Sequence, residues 1–213
     1  MVRDKERLFL RHDVDHDILQ AIEMAMVEAD HGIKSTYFLL PTAPYFDYSA
    51  LFQYNIETLL LLGHAIGLHN NALTEHLQYS KPLTKAIREP LNFLRIHYDV
   101  KLTAGHGDKF LKRRNLLNFQ MWKEAAEPWS GPTLSLKDYD LEEVYFADKA
   151  YYLSDTGGRW YGGEGKVAFE GAYERCNPIK IIQDHNRKSS GTLQMLIHPY
   201  WWRTVLVKTP PPS

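Results

Sequence analysis

Residues Arg7 to Asp15 (RLFLRHDVD) begin as an apolar strand pattern that turns abruptly polar, and Asp17 opens a helical repeat with Ile18, Ile22 and Met26 four residues apart. Gly32 stops that helix. Ile33 to Leu40, rich in β-branched and aromatic residues, reads as a second strand closed by Pro41. A leucine-dense helix over Ala50 to Leu62 follows and ends at Gly63, and the short apolar segment Ala65 to Leu68 delivers His69. Lys81 to Tyr98 is helical, with Leu83, Ile87, Leu91 and Leu94 on one face, and Val100 to Ala104 leads as a strand into Gly105-His106-Gly107. This alternation at 30 to 35 residues predicts parallel strands with helical crossovers, in a doubly wound sheet or a barrel.

The second half is less regular. It predicts a helix over Arg113 to Glu124, a strand over Glu143 to Leu153, a glycine-rich loop from Gly157 to Gly165, a short helix over Pro178 to Asn186 and a buried strand, Thr192 to Ile197, ending at His198-Pro199. The chain shows no internal repeat. The 213 residues read as one domain over 1–209 with a proline-rich tail at 210–213.

The chemically distinctive residues follow strands: Asp13 and Asp15, His69, His106 and His198. Parallel α/β sheets gather the carboxyl ends of their strands at one face, where active sites are built, so these positions predict a shared site.

Charge narrows the class. Lys and Arg total 25 against 26 Asp and Glu, a net charge of -1, so no general basic field favours nucleic acid, and Lys112, Arg113 and Arg114 read as a solvated helix face. No apolar run reaches the length of a membrane span, and the charged opening MVRDKER is unlike a secretory signal, so a soluble cytoplasmic protein is expected. A single cysteine, Cys176, excludes an internal disulfide framework and multi-cysteine zinc modules; ten histidines leave imidazole and carboxylate as the ligands for any metal.

Asp13 and Asp15 are two apart, so in a strand both carboxylates face one side. Their repulsion is relieved by a cation on one, which frees the other as a base; a hydrated loop capping the next helix is the alternative. His64 and His69 are five apart and face opposite sides, and His69 is the better placed at its strand end. Gly105 and Gly107 around His106 suggest a close approach of backbone, or simply a turn. His198 ends the last strand before two indoles. The stretch Ser154 to Trp160 combines Asp155, Arg159 and Trp160 on a Gly-Gly turn, suited to holding a sugar ring or to an internal Asp-Arg pair. Phosphate-loop, nucleophile-elbow and His-Glu-x-x-His motifs are missing, which leaves metal-assisted hydrolysis.

These residues resemble the polysaccharide deacetylase superfamily, the NodB-like carbohydrate esterases, over most of the chain. Asp13-Val14-Asp15 is similar to a variant of the family's first motif, a base followed by a metal ligand; Gly63 to His69 is similar to the second, with the metal histidine at His69; and His198 is similar to the late general acid. Ser154-Asp155 to Trp160 resembles a substrate-loop motif of members linked to surface-polysaccharide synthesis. The resemblance implies a distorted seven-stranded β/α barrel, a divalent metal ion with zinc as the default, and a sugar or glycan substrate losing an N-acetyl or other acyl group. It departs at one position: the second metal histidine falls on Leu73. His106 is the preferred replacement, ahead of His76 and His64. The expected site is therefore Asp13 and His198 in catalysis, Asp15, His69 and His106 on the metal, and Asp155, Arg159 and Trp160 toward base or substrate. His12, His16 and His64 are expected beside the site or in the substrate cleft, and His31, His76, His97 and His185 at the surface or at helix ends. A catalytically silent sugar-binding domain and a metal hydrolase for a non-sugar amide are the rival readings.

Overall fold

A computed structural model describes residues 7–96, 98–147, 151–164, 174–188 and 191–202. The opening charged residues, His97, Gly165 and the proline-rich tail lie outside them.

Asp17 caps the first helix as its side chain accepts a hydrogen bond from the Leu19 N–H at 2.9 Å. The first three crossovers follow the predicted order, with one helix, α3, that the sequence pattern did not predict: β1 (Arg7–Val14), α1 (Ile18–Asp30), β2 (Thr36–Leu39), α2 (Ala50–Leu61), β3 (Ala65–Asn70), α3 (Ala72–Tyr79), α4 (Leu83–Arg95) and β4 (Leu102–Gly105). In α4 the face Leu83, Ile87, Leu91 and Leu94 is buried as expected. In α1 it is not the anticipated one: Ile18, Ala21, Ala25 and Glu28 are buried and Met26 is exposed. The alanines turn this face inward because a helix without bulk on its inner side lies closer to its neighbours, and the buried Glu28 is held by polar partners.

The second half departs further. Instead of a helix over Arg113 to Glu124 there is one turn, α5 (Lys109–Lys112), then a 3-10 turn at Asn118–Met121. Asn115, at φ 54°, breaks the helix, and the Leu116 N–H returns to the Leu111 carbonyl. The single strand expected over Glu143 to Leu153 is two: β5 (Glu142–Glu143), which pairs β4, and β6 (Tyr151–Ser154), which pairs the final strand β9 (Thr192–Ile197). One strand could not serve both, because β5 and β9 stand far apart in the sheet. The glycine-rich loop is a 3-10 turn at Thr156–Gly158 followed by β7 (Tyr161–Glu164), antiparallel to β6. Next come β8 (Glu174–Arg175), antiparallel to β7, and α6 (Pro178–Lys188).

The strands form one mixed sheet in the order β5-β4-β3-β2-β1-β9-β6-β7-β8, curled into a half-barrel with β5 and β8 at its edges. The α/β class stands. The count among the described residues is nine rather than seven, because the chain adds the antiparallel β7 and β8 beyond the parallel run. The main core lies between the sheet and α1 to α4, around Leu39, Ile56, Leu68, Ile87 and Leu94. Inside the curl, the Phe38 ring lies across Gly67 on the paired strand, where a Cβ would come within 2.4 Å of it. No described helix is long and apolar enough to cross a membrane.

Parallel pairing sets the site. His12 pairs Ile197, Val14 pairs Leu39, His69 pairs Ala104 and Ser154 pairs Leu196. The ends of β1, β3, β4, β6 and β9 therefore open at one rim.

Candidate metal and catalytic site

At that rim lies a cavity of about 330 Å³, lined by Asp13, Asp15, His69, His106 and His198 together with Tyr145, Tyr152, Thr156 and an apolar wall that includes Leu116, Leu117, Phe119 and Leu196. Asp15, just past β1, His69 on β3 and His106, just past β4, each offer one ligand atom, and these lie within 4.8 Å of one another.

The histidines are oriented for this. His69 Nδ1 is 2.9 Å from the Ala104 carbonyl, which can only accept, so the proton is on Nδ1 and the Nε2 lone pair faces the cluster. Nε2 lies 3.3 Å from Asp15 Oδ1, 3.6 Å from Asp13 Oδ2 and 3.2 Å from His106 Nδ1. His106 Nδ1 is in turn 3.5 Å from Asp15 Oδ1. Buried as they are, Asp13 Oδ1 and Asp15 Oδ1 have no hydrogen-bond partner. Two orphaned carboxylate oxygens beside two imidazoles suit a divalent cation, since hard oxygen and borderline nitrogen donors are what zinc and its neighbours take.

Charge in the cluster is strongly coupled. Burial works against Asp15 ionising, yet the adjacent imidazole of His69, with those of His106 and His198 beyond it, holds its pKa well below the usual carboxylate range. Burial also works against a charged His69, and Asp13 and Asp15 together overcome it to raise that pKa. For His106 burial is reinforced by the adjacent His69, and its pKa drops to about 4.

Asp13 has its own support. The buried Arg11, two residues earlier on the same face of β1, donates from Nη2 to Asp13 Oδ2 at 3.3 Å and to the Tyr145 hydroxyl at 2.9 Å. Across the cavity His198 Nε2 is 3.9 Å from Asp15 Oδ2. Its Nδ1 is 2.6 Å from Asp155 Oδ1. Asp155 is fully buried and also accepts from the His198 N–H at 3.0 Å and from Trp202 Nε1 at 2.7 Å. Desolvation opposes a charged His198, but the Asp155 hydrogen bond and the Asp15 and Asp13 charges outweigh it and raise its pKa.

The substrate assignments on the Ser154 to Trp160 stretch need correction. Asp155 anchors His198 and Trp202 instead of facing the cavity, Arg159 is exposed outside it, and Trp160 packs on the small core of Leu10, Leu153, Leu193 and Met195 and against Trp202. The hairpin turns these side chains away. Gly105 does mark a close approach, but to protein: a Cβ there would sit 2.8 Å from the Phe119 nitrogen, so the glycine lets the 3-10 turn close on β4.

Leu73 is wholly buried in α3 among core residues, with its N–H on Asn118 Oδ1. It cannot reach the cluster. His76 bonds the Lys81 carbonyl and packs its ring on Trp129. His12 and His64 lie behind the sheet around Glu28, with His12 Nε2 at 2.8 Å from Oε1 and Ser35 and Tyr37 hydroxyls on Oε2; the alternation of β1 puts His12 opposite Asp13. His16 packs edge-on against Tyr200, and His185, expected at the surface, is buried.

Sequence reasoning did not place Tyr145, Lys112 or Glu143 beside the site: Glu143 and Tyr145 fell inside one predicted strand whose chemistry nothing marked, and Lys112 inside a charge cluster that reads as a solvated face. Glu143 is buried on β5, accepts from Trp122 Nε1 at 3.2 Å and the Gly105 N–H at 3.4 Å, and burial, against the Arg11 charge, pushes its pKa up to about 7. A carboxyl raised in the folded state stabilises fully below its unfolded pKa and loses that contribution as pH rises toward 7, at about 1.4 kcal/mol per unit. Glu143→Gln is expected to remove this slope. Urea unfolding at pH 5 and pH 8 should show the variant gaining on the wild type at the higher pH.

No family model matches the chain, and no curated protein matches it. Among solved structures, the peptidoglycan deacetylase PdaC from Bacillus subtilis matches with a TM-score of 0.47 at 14% identity, over 93% of this chain and 77% of that one. A CE4 family pseudoenzyme from Bacillus anthracis, BA3943, matches with a TM-score of 0.44 at 14% identity, over 92% of this chain and 56% of that one. A mutant of that pseudoenzyme with restored enzymatic activity gives 0.44 at 13% identity, over 92% and 58%.

Proposed function

We propose that the chain is a divalent-metal-dependent hydrolase that removes an acyl group, foremost N-acetyl, from a sugar in surface-polysaccharide or glycan metabolism. The observation that carries this is the convergence of the Asp15, His69 and His106 ligand atoms, within 4.8 Å, beside the orphaned oxygen of Asp13. Asp15, His69 and His106 would hold the ion, zinc by default. Bound there, a divalent ion supplies a Lewis acid for the acyl carbonyl and lowers the pKa of the attacking water.

The protein's own groups do the rest. Asp13, positioned by the Arg11 hydrogen bond to its Oδ2, accepts the proton of the water as it attacks. His198, with Nδ1–H on Asp155 and Nε2 toward the cavity, donates a proton to the leaving nitrogen as the C–N bond breaks. The apolar wall of Leu116, Leu117, Phe119 and Leu196 gives an acyl methyl group a dry place to sit. A leucine at position 73, where a metal histidine is expected, favours a silent binding domain; because His106 supplies the third ligand atom from just past β4, the enzyme is the better supported reading.

The test is acetate release from N-acetylated glycans by protein loaded with zinc. Activity that disappears on chelation and returns with zinc is expected; full activity in the chelated protein would sink the reading. Because His198 must be protonated while Asp13 is ionised, the pH profile should be bell-shaped, with His198 setting the alkaline limb. Asp155→Asn removes the charge that keeps this imidazole protonated. It should move that limb to lower pH and cut turnover on the order of 10²-fold, measured as kcat against pH.

A further inference from the structure

The segment 109–114 carries four cations, Lys109, Lys112, Arg113 and Arg114, in a chain whose net charge is only -1. It begins three residues after His106, at the mouth of the cavity. None of the four forms an ion pair among the described residues. Arg114 is folded back, its guanidinium 3.7 Å from the Phe110 ring and donating to the Phe110 carbonyl. Lys112 goes the other way. It is exposed, it lines the cavity together with Asn115 three residues on, and its Cε passes 4.0 Å from where a Cβ on Gly107 would stand, next to His106.

The charge balance of the cavity makes this lysine surplus. Asp13 and Asp15 already face the buried Arg11 and His69, and a divalent ion would offset both carboxylates. Asp155 is committed to His198 and Trp202. An uncharged sugar needs hydrogen-bonding groups and apolar faces, and it gains little from an unpaired ammonium backed by three more cations within two turns of chain. An anionic group gains directly, because like charges clustered at a cleft with apolar walls raise the local concentration of anions and pair with them at the mouth.

We propose that the cavity takes an acylated sugar carrying an anionic group, phosphate or carboxylate, and that Lys112 pairs with that group while the acyl end lies against the metal cluster. This names the substrate class for the hydrolase reading above and rests on it for the placement of the acyl group. Lys112 is a specificity residue in it, separate from the catalytic groups.

The experiment is calorimetric binding to the zinc-loaded protein at low ionic strength, with N-acetylglucosamine as the neutral probe, its 1-phosphate and 6-phosphate as one anionic arm and N-acetylmuramic acid as the carboxylate arm. At least one anionic probe is expected to bind tenfold or more tightly than the neutral one. That margin should fall to threefold or less in Lys112→Ala and persist in Lys112→Arg. The arm that shows the margin identifies the anion. Equal affinities, no binding of any anionic probe, or a margin that survives Lys112→Ala, as attraction by the metal alone would produce, overturns the proposal. Binding needs no turnover, so a margin without acetate release would count against the hydrolase reading and leave the anion site standing.

Discussion

Asp13→Asn is expected to lower turnover by about 10³-fold, within the range that loss of a general base produces, while the protein keeps its metal. The substitution changes almost no volume, so the packing of β1 survives. Its effect is chemical. Asp13 Oδ2 is engaged by Arg11 at 3.3 Å, and Oδ1 is buried without a partner. In an asparagine the amide oxygen would turn to Arg11, because a guanidinium can only donate. The NH2 would then occupy the place of the free oxygen, and a group that should accept a proton would present hydrogens instead. Asp13 is not one of the three residues whose ligand atoms converge, so metal content by elemental analysis should stay near the wild-type value. Loss of the metal along with activity would reassign Asp13 as a ligand and leave the reaction without its base.

His106→Ala should abolish activity for a different reason, by emptying the third ligand position. Removing a residue that only supports a metal ligand costs about 10–100-fold in affinity, and a ligand itself should cost more, so competition with a chelator should show a fall beyond 100-fold. The fold should tolerate the change: the His106 side chain is 18% exposed, whereas that of His69 is 2% exposed and ties β3 to β4 through the Ala104 carbonyl. His76→Ala should leave metal affinity at the wild-type level, because that ring is held elsewhere by the Lys81 carbonyl and Trp129. Adding Leu73→His to His106→Ala should not restore binding, since position 73 faces the core. Restoration would mean that α3 can present a ligand after all.

How far the sequence reaches is clearest at β1. Its apolar run ending in Asp13-Val14-Asp15, the two-residue alternation and the parallel crossovers were enough to bring Asp13, Asp15, His69 and His106 to one rim, because strand ends in a parallel sheet have no other place to go. The same alternation places His12 behind the sheet, where Glu28 on α1 meets it. That pairing was not legible, because it depends on α1 burying an alanine face that hydrophobic periodicity alone assigns to Ile22 and Met26.

The second half was less legible because its pairings are not local. Glu143 and Tyr151 sit in one hydrophobic stretch but go to β5 beside β4 and to β6 beside β9, and only the assembled sheet separates them. Asp155 was visible as a polar residue after a strand, like the others. Its partners are His198 and Trp202, 43 and 47 residues away, and no local pattern distinguishes a carboxylate that steadies a histidine from one that holds a sugar. Arg159 and Trp160 suggested a sugar platform by composition, and the hairpin instead leaves Arg159 in solvent and packs Trp160 on the small core beside Trp202.

The central claim is that Asp15, His69 and His106 hold one divalent ion. Anomalous diffraction at the zinc edge, from crystals of protein purified without chelator and supplied with zinc, tests it most directly. One strong peak is predicted at about 2.0–2.2 Å from a carboxylate oxygen of Asp15, Nε2 of His69 and Nδ1 of His106. A peak coordinated elsewhere, or none among these three side chains, would contradict it.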